Sequence, residues 1–335
     1  MKLLKSVAFL GLASVTSSVY AADALTVYSY RQAFLIEPIL EKFTAQSGVD
    51  VNVVFAKDGI AERMVREGRL SPADVVLTSD FSRLMELVDK DLVSPVESSV
   101  IDDNIPAQYR SQHDDWYALT MRVRNVYSSK ERSGKIDIDY EDLASPEYKG
   151  KICTRSGKHP YNIALVASMI AHDGEAKTKA WLEGVKANLA RKPQGNDRDQ
   201  VLAVKEGMCD VAIGNSYYFG KMLMDKNQKS WAEAVEINFP NQQNRGAHVN
   251  VSGMALAKYA PHKGNAIKLM EFLTSDLAQK MYAEVNMEYP IKADVAPSEL
   301  VASWGEFKAD SLPIYKLAEY HQAAVKLLDE TKFDL

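Results

Sequence analysis

Tyr117-Ala118-Leu119-Thr120-Met121-Arg122-Val123-Arg124-Asn125-Val126-Tyr127 decides the fold of this chain. It reads as one long extended stretch, whereas the segments around it alternate short β-rich runs with helical periodicity. Such a stretch fits a strand that crosses between two lobes. Upstream, Leu25-Thr26-Val27-Tyr28 is β-rich, and Ile36, Ile39, Leu40 and Phe43 fall at helical spacing before a stop at Gly48. Val49-Asp50-Val51-Asn52-Val53-Val54-Phe55 alternates as a strand, residues 60–68 read as a helix, and Ala73-Asp74-Val75-Val76-Leu77 as a buried strand. Ser79 or Asp80 then caps a helix containing Leu84, Leu87 and Val88. This βαβαβ order implies a mostly parallel sheet with helices on both faces. Downstream lies a second block, residues 135–240, with helices expected at 163–172, 176–189 and 197–206. Residues 248–257 are again extended, and 264–273 and 275–284 are helical. The fold class is therefore α/β, a two-lobed hinged clamshell in which each lobe is a mixed, mostly parallel sheet flanked by helices. Residues 22–122 and 246–300 make the N-terminal lobe and 123–245 the C-terminal lobe. Residues 301–335 make a helical tail that either lobe could carry.

The N-terminus reads as a secretory signal over residues 1–21. Lys2 and Lys5 form a basic region, residues 7–15 an apolar one, and Val19-Tyr20-Ala21 offers small residues for cleavage. The alternative is a retained anchor, but the apolar run is short for a membrane span. Cleavage would take the formal charge from −5 to −7, because Lys2 and Lys5 leave with the signal. A mildly acidic chain with scattered charges argues against nucleic acid as a partner. Cys153 and Cys209 are the two cysteines. In an oxidising compartment an even pair favours a disulfide, with two buried thiols as the alternative.

No zinc-protease helix, nucleophile elbow or dinucleotide fingerprint is present, so no enzyme is expected. The segment Gly150-Lys151-Ile152-Cys153-Thr154-Arg155-Ser156-Gly157-Lys158 has some look of a phosphate loop, but its glycine spacing is too long and His159 follows the lysine. What remains is a set of phenols. Tyr217 and Tyr218 sit in the polar run Gly214-Asn215-Ser216-Tyr217-Tyr218-Phe219-Gly220, read as a loop, and Tyr161 in the polar turn His159-Pro160-Tyr161-Asn162. Such tyrosines serve either aromatic packing or oxygen ligation. A phenolate is a hard anionic donor, and three of them balance the charge of one ferric ion. Carbonate could fill open positions and would need a cation beside it. Arg31 and Arg124 are candidates, since a planar guanidinium suits a planar anion. His159, two residues from Tyr161, is either a supporting group or an ordinary loop histidine.

Several stretches together resemble the periplasmic ferric-iron-binding proteins of bacterial iron ABC importers along essentially the whole chain after the signal. They are Tyr28-Ser29-Tyr30-Arg31, Ser71-Pro72-Ala73-Asp74-Val75-Val76-Leu77-Thr78, Lys192-Pro193-Gln194-Gly195-Asn196-Asp197, Asn215-Ser216-Tyr217-Tyr218-Phe219-Gly220, Phe239-Pro240-Asn241-Gln242 and Gly246-Ala247-His248-Val249-Asn250-Val251-Ser252-Gly253. The resemblance implies a type II-like periplasmic-binding-protein fold, iron in the interlobe cleft, and ligands at Tyr161, Tyr217 and Tyr218. It implies a periplasmic, monomeric protein that is not membrane-embedded and that serves an inner-membrane ABC permease and its ATPase. The chain also departs from the family. Where some members carry histidine, or histidine and tyrosine, this one has Arg31-Gln32-Ala33-Phe34, and where others use glutamate it has Lys57-Asp58-Gly59-Ile60. The resemblance therefore implies a three-tyrosine site completed by an exogenous carbonate or bicarbonate, with Arg124, Arg31 and Gln32 as anion contacts and Tyr30 or His159 as substitute ligands. The competing reading is a receptor for an organic cation or other small solute on the same fold, its tyrosines forming a cation–π cage.

Overall fold

The computed structural model describes residues 24–335, so the signal expected at 1–21 lies outside it. The strands are β1 Leu25–Ser29, β2 Val51–Phe55, β3 Val75–Thr78, β4 Val93–Ser94, β5 Tyr117–Ser129, β6 Ile152–Cys153, β7 Val211–Asn215, β8 Val235–Asn238, β9 Val249–Ala257 and β10 Tyr289–Pro290. They run β2-β1-β3-β9-β5-β7-β6, with β4 added to β9 and with β8 and β10 added to β5. The parallel pairing expected from the βαβ pattern is present in β2-β1-β3 and in β6-β7. The strands that pass between the lobes pair antiparallel.

β5 is the strand that both sheets share. From Tyr117 to Val123 it pairs with β9, and from Arg124 onward it pairs with β7, with β8 on its other edge. Every residue of β5 except Met121 is buried. A strand buried on both faces shows no clean alternation, which is why it read only as extended. The return crossing lies at residues 246–248. There the His248 carbonyl accepts from Arg124 N at 3.0 Å, and Ala247 bridges to Ala309. Gly246 holds φ +93°, and a Cβ there would lie 2.6 Å from the Ala309 carbonyl oxygen, so only glycine fits this turn.

The helix Ala33–Ser47 buries Ile36, Ile39, Leu40 and Phe43 and ends at a left-handed Gly48, as its spacing predicts. Of the two candidate caps for the helix Phe81–Asp89, Asp80 serves, accepting from Arg83 N. The helices expected at 163–172 and 176–189 form one element, Pro160–Ala187, broken at Gly174 (φ 78°, ψ 164°). The tail helix Lys316–Glu330 lies on that element, where Lys179 pairs with Glu330 at 2.8 Å and Leu328 and Phe333 are buried. None of the described helices is long and apolar enough to cross a membrane.

Cys153 and Cys209 form a disulfide, with Cα atoms 5.9 Å apart. The bridge joins the end of β6 to the segment entering β7. It spans 56 positions, so its constraint on the unfolded chain is worth about 2–4 kcal/mol. A Cys153→Ser/Cys209→Ser variant should lose that much in urea unfolding, and denatured, unreduced wild-type protein should titrate no free thiol.

Candidate metal centre

All three tyrosines stand in the first turns of helices rather than in loops. Tyr161 follows Pro160 at the start of Pro160–Ala187, and Tyr217 and Tyr218 open the helix Ser216–Met224, which leaves the end of β7 directly. The polar residues that suggested loops occupy helix starts. His159 is the N-cap and accepts from Tyr161 N through Nδ1 at 3.2 Å, and Pro160 takes the first position, where a missing N–H costs nothing. Asn215 is the N-cap of the second helix, but its side-chain oxygen accepts from Arg124 instead. Because β6 and β7 are parallel neighbours, both helix N-termini open at the same edge of the sheet.

The phenols meet there. The Tyr161 and Tyr217 hydroxyls are 3.3 Å apart, and the Tyr217 and Tyr218 rings lie 4.1 Å centroid to centroid. They line one side of a cleft of about 430 Å³. Tyr30, Arg31, Gln32 and Phe34 line the N-terminal-lobe side, and Arg122, Arg198, Lys221 and Glu288 complete the wall. Burial, then the neighbouring Tyr161 and Tyr218, raise the Tyr217 phenol well above its ordinary range, with Arg122 opposing. Burial and Tyr161 raise Tyr218 likewise. Both phenols therefore hold their protons until a cation arrives, and a trivalent ion at contact distance favours the phenolates. No group of three His, Cys, Asp or Glu side chains is placed to hold a metal among the described residues.

The other expected site residues are placed unequally. Arg31 and Gln32 line the cleft, but the Arg31 guanidinium is spent on Glu288 at 2.8 Å and Asn286 at 3.1 Å. Arg124 lies behind the site. It donates to Asp197 (2.8 Å), Asn215 (3.0 Å) and Asn162 (2.7 Å), and its guanidinium carbon is 5.9 Å from the Tyr161 ring centroid. Arg122, two residues earlier on the same strand, is the one that lines the cleft. Its Nε and Nη1 have no hydrogen-bond partner among the described residues. Tyr30 lines the cleft with its ring 4.1 Å from the Arg83 guanidinium, and its hydroxyl accepts from Ala61 N. The His159 ring packs edge-on to Tyr161 at 4.5 Å, and burial, with Arg155 nearby, lowers its pKa to about 4. It is neutral near pH 7, with Nδ1 committed to the helix cap.

Glu288 organises the cationic wall. It is buried, takes Arg31 directly and faces Arg122 at 3.7 Å. Burial alone would raise its pKa, but Arg31, Arg122, the Thr120 hydroxyl and Lys221 together hold it below the usual carboxylate range. Lys221 Nζ lies 5.3 Å from the Tyr217 ring, on the tyrosine helix itself. That helix comes close to the N-terminal lobe at Gly220, where a Cβ would meet Met287 at 2.9 Å and Trp304 at 3.0 Å. Arg198, Lys221 and Glu288 were not foreseen. The only signal in the sequence was the i, i+2 repeat of arginine at 122 and 124, which offers two candidates and does not choose between them.

Replacing Glu288 with Gln leaves two buried guanidiniums without a counter-charge and should cost about 3–5 kcal/mol at pH 7. Because the folded pKa is lowered, the carboxylate's contribution is complete above its unfolded pKa of about 4.3 and is lost as pH falls through the folded value. The stability gap between wild type and E288Q, measured by urea unfolding, should therefore be full at pH 7 and shrink toward pH 3.

The family of bacterial extracellular solute-binding proteins matches residues 71–306. Iron uptake protein A1 of Synechocystis is 41% identical over 310 residues, covering 91% of this chain and 86% of that protein. Mannheimia haemolytica ferric iron-binding protein A, in an open conformation, superposes with a TM-score of 0.92 at 55% identity, covering 94% of this chain and 100% of that one. The Trichodesmium protein IdiA (FutA), in complex with iron and citrate, superposes with a TM-score of 0.89 at 36% identity, over 92% and 99% of the two chains. With a family match over most of its length and two-lobed relatives that superpose from end to end, the chain belongs to the bacterial extracellular solute-binding proteins.

Proposed function

We propose that the protein captures ferric iron as cargo in its interlobe cleft and delivers it to an inner-membrane ABC permease and its ATPase. It does so as a periplasmic monomer and without catalysis. The observation that carries this reading is the convergence of Tyr161, Tyr217 and Tyr218 at two helix N-termini. Hard phenolate donors gather there, and among the described residues the first-lobe wall offers no unpaired carboxylate or histidine. Relatives named for ferric iron support it. The lobe boundaries at 122/123 and 245/246 belong to the same reading, supported by the change of pairing partner along β5.

Three phenolates leave open positions on the ion, and an exogenous anion such as carbonate or bicarbonate fills them. The supporting observation is the excess of positive charge on the wall, where Arg122, Arg198 and Lys221 face the tyrosines. Arg122, which lines the cleft and keeps Nε and Nη1 without hydrogen-bond partners while Nη2 donates to the Ser79 carbonyl, is a better anion contact than Arg124, both of whose terminal nitrogens are taken. The same excess works against an organic-cation receptor, as does a lining without tryptophan, since Trp304 packs instead on Phe219 and Tyr289.

Purified protein loaded with ferric iron should show a visible phenolate-to-iron absorption band at one ion per chain. Tyr217→Phe/Tyr218→Phe should abolish it while keeping the rings, and retention of colour and stoichiometry would refute the assignment. Arg122→Ala should weaken iron binding at least tenfold and remove its response to added bicarbonate. Arg122→Lys should restore only part of it, because the planar fork is lost.

A further inference from the structure

We infer that Asp334 is a positioning residue for Tyr161, its carboxylate seated in the Ser156–Gly157 turn that starts the helix carrying that donor. The inference rests on the iron reading above. The segment 150–158, which has the look of a phosphate loop without its spacing, does cradle an anion, and the anion is the chain's own. Ser156 Oγ donates to Asp334 Oδ2 at 2.6 Å and Gly157 N to Oδ1 at 2.7 Å. Phe333 and Leu328 close over Gly157 so tightly that a Cβ there would lie 2.7 and 2.8 Å from their side chains. Lys158 pairs with Asp329, and Lys186 holds the Thr331 carbonyl at 3.0 Å. The segment 328–334 is thus locked over the turn.

The turn in turn sets Tyr161. The Ser156 carbonyl accepts from His159 N at 3.1 Å and from Asn162 Nδ2 at 3.0 Å, and the Arg155 carbonyl accepts from Asn162 Nδ2 at 3.1 Å. His159 caps Tyr161 N, and the Asn162 side-chain oxygen accepts from Arg124. The two residues that flank the Pro160–Tyr161 pair therefore take their reference from the turn that Asp334 fastens. The opposite donors, Tyr217 and Tyr218, leave β7 directly and have no such dependence. A charge-assisted contact that fixes one donor and not the others acts on the spacing of the set, which a shared metal ion senses more sharply than global stability does.

The test compares wild type, Asp334→Ala, Asp334→Asn and Gly157→Ala as full chains. It measures the wavelength of the ferric phenolate band, the rate of iron release to an excess chelator, and the melting temperature without iron. Asp334→Ala and Gly157→Ala should shift the band and speed release about three- to tenfold, the loss expected from one charged hydrogen bond felt through a neighbour. Asp334→Asn keeps an acceptor for Gly157 N and should recover part of both. Unchanged band and release in Asp334→Ala, whatever its melting temperature, overturns the inference and leaves the iron reading intact. A wild-type protein without any ferric band overturns both.

Discussion

One strand has to serve two sheets. β5 is hydrogen-bonded first to the neighbours of the first lobe and then to those of the second, and the exchange occurs between Val123 and Arg124. Such a strand is buried along nearly its whole length, yet it carries two arginines into the interior. Each must be answered there, because an isolated buried charge is prohibitively costly. The answers come from different lobes. Asp197, Asn162 and Asn215 of the second lobe take Arg124, while Glu288 of the first faces Arg122. Charge satisfaction at the crossing therefore decides which groups are left to face the cleft.

The cleft sets Arg122, Arg198 and Lys221 around three half-buried phenols. Phenolates are hard donors, and a hard trivalent ion gains more from them than a soft or monovalent cation does. Its position follows from the sheet. Both tyrosine-bearing helices begin at the carboxyl ends of parallel strands, the usual place for ligands in α/β folds, and their N-terminal dipoles favour negative charge at the same spot.

Much of this was legible in the chain. The extended run around Arg122, the helical spacing of Ile36, Ile39, Leu40 and Phe43, and the disulfide partners all read correctly, because each depends on local periodicity or on simple counting. The tyrosines were legible as a set but were read as loop residues, since Asn, Ser, His and Pro mark helix starts as readily as loops. The choice between Arg122 and Arg124 was not legible. It depends on Asp197 and Glu288, which lie far from both in sequence and come close only in the folded chain. The place of the tail was open for the same reason, since its partners are on and just before the helix Pro160–Ala187, more than a hundred residues upstream.

β6 is only two residues long, and its ladder with β7 has just two rungs. So short a ladder is poorly able to tell one alignment from the next, and a slip by one residue would slide Tyr161 about 3.3 Å past Tyr217. The covalent link runs from Cys153, on the second rung, to Cys209 in the segment entering β7. Beyond what it does to the unfolded chain, it works as a vernier stop that fixes the phase of one tyrosine-bearing segment against the other.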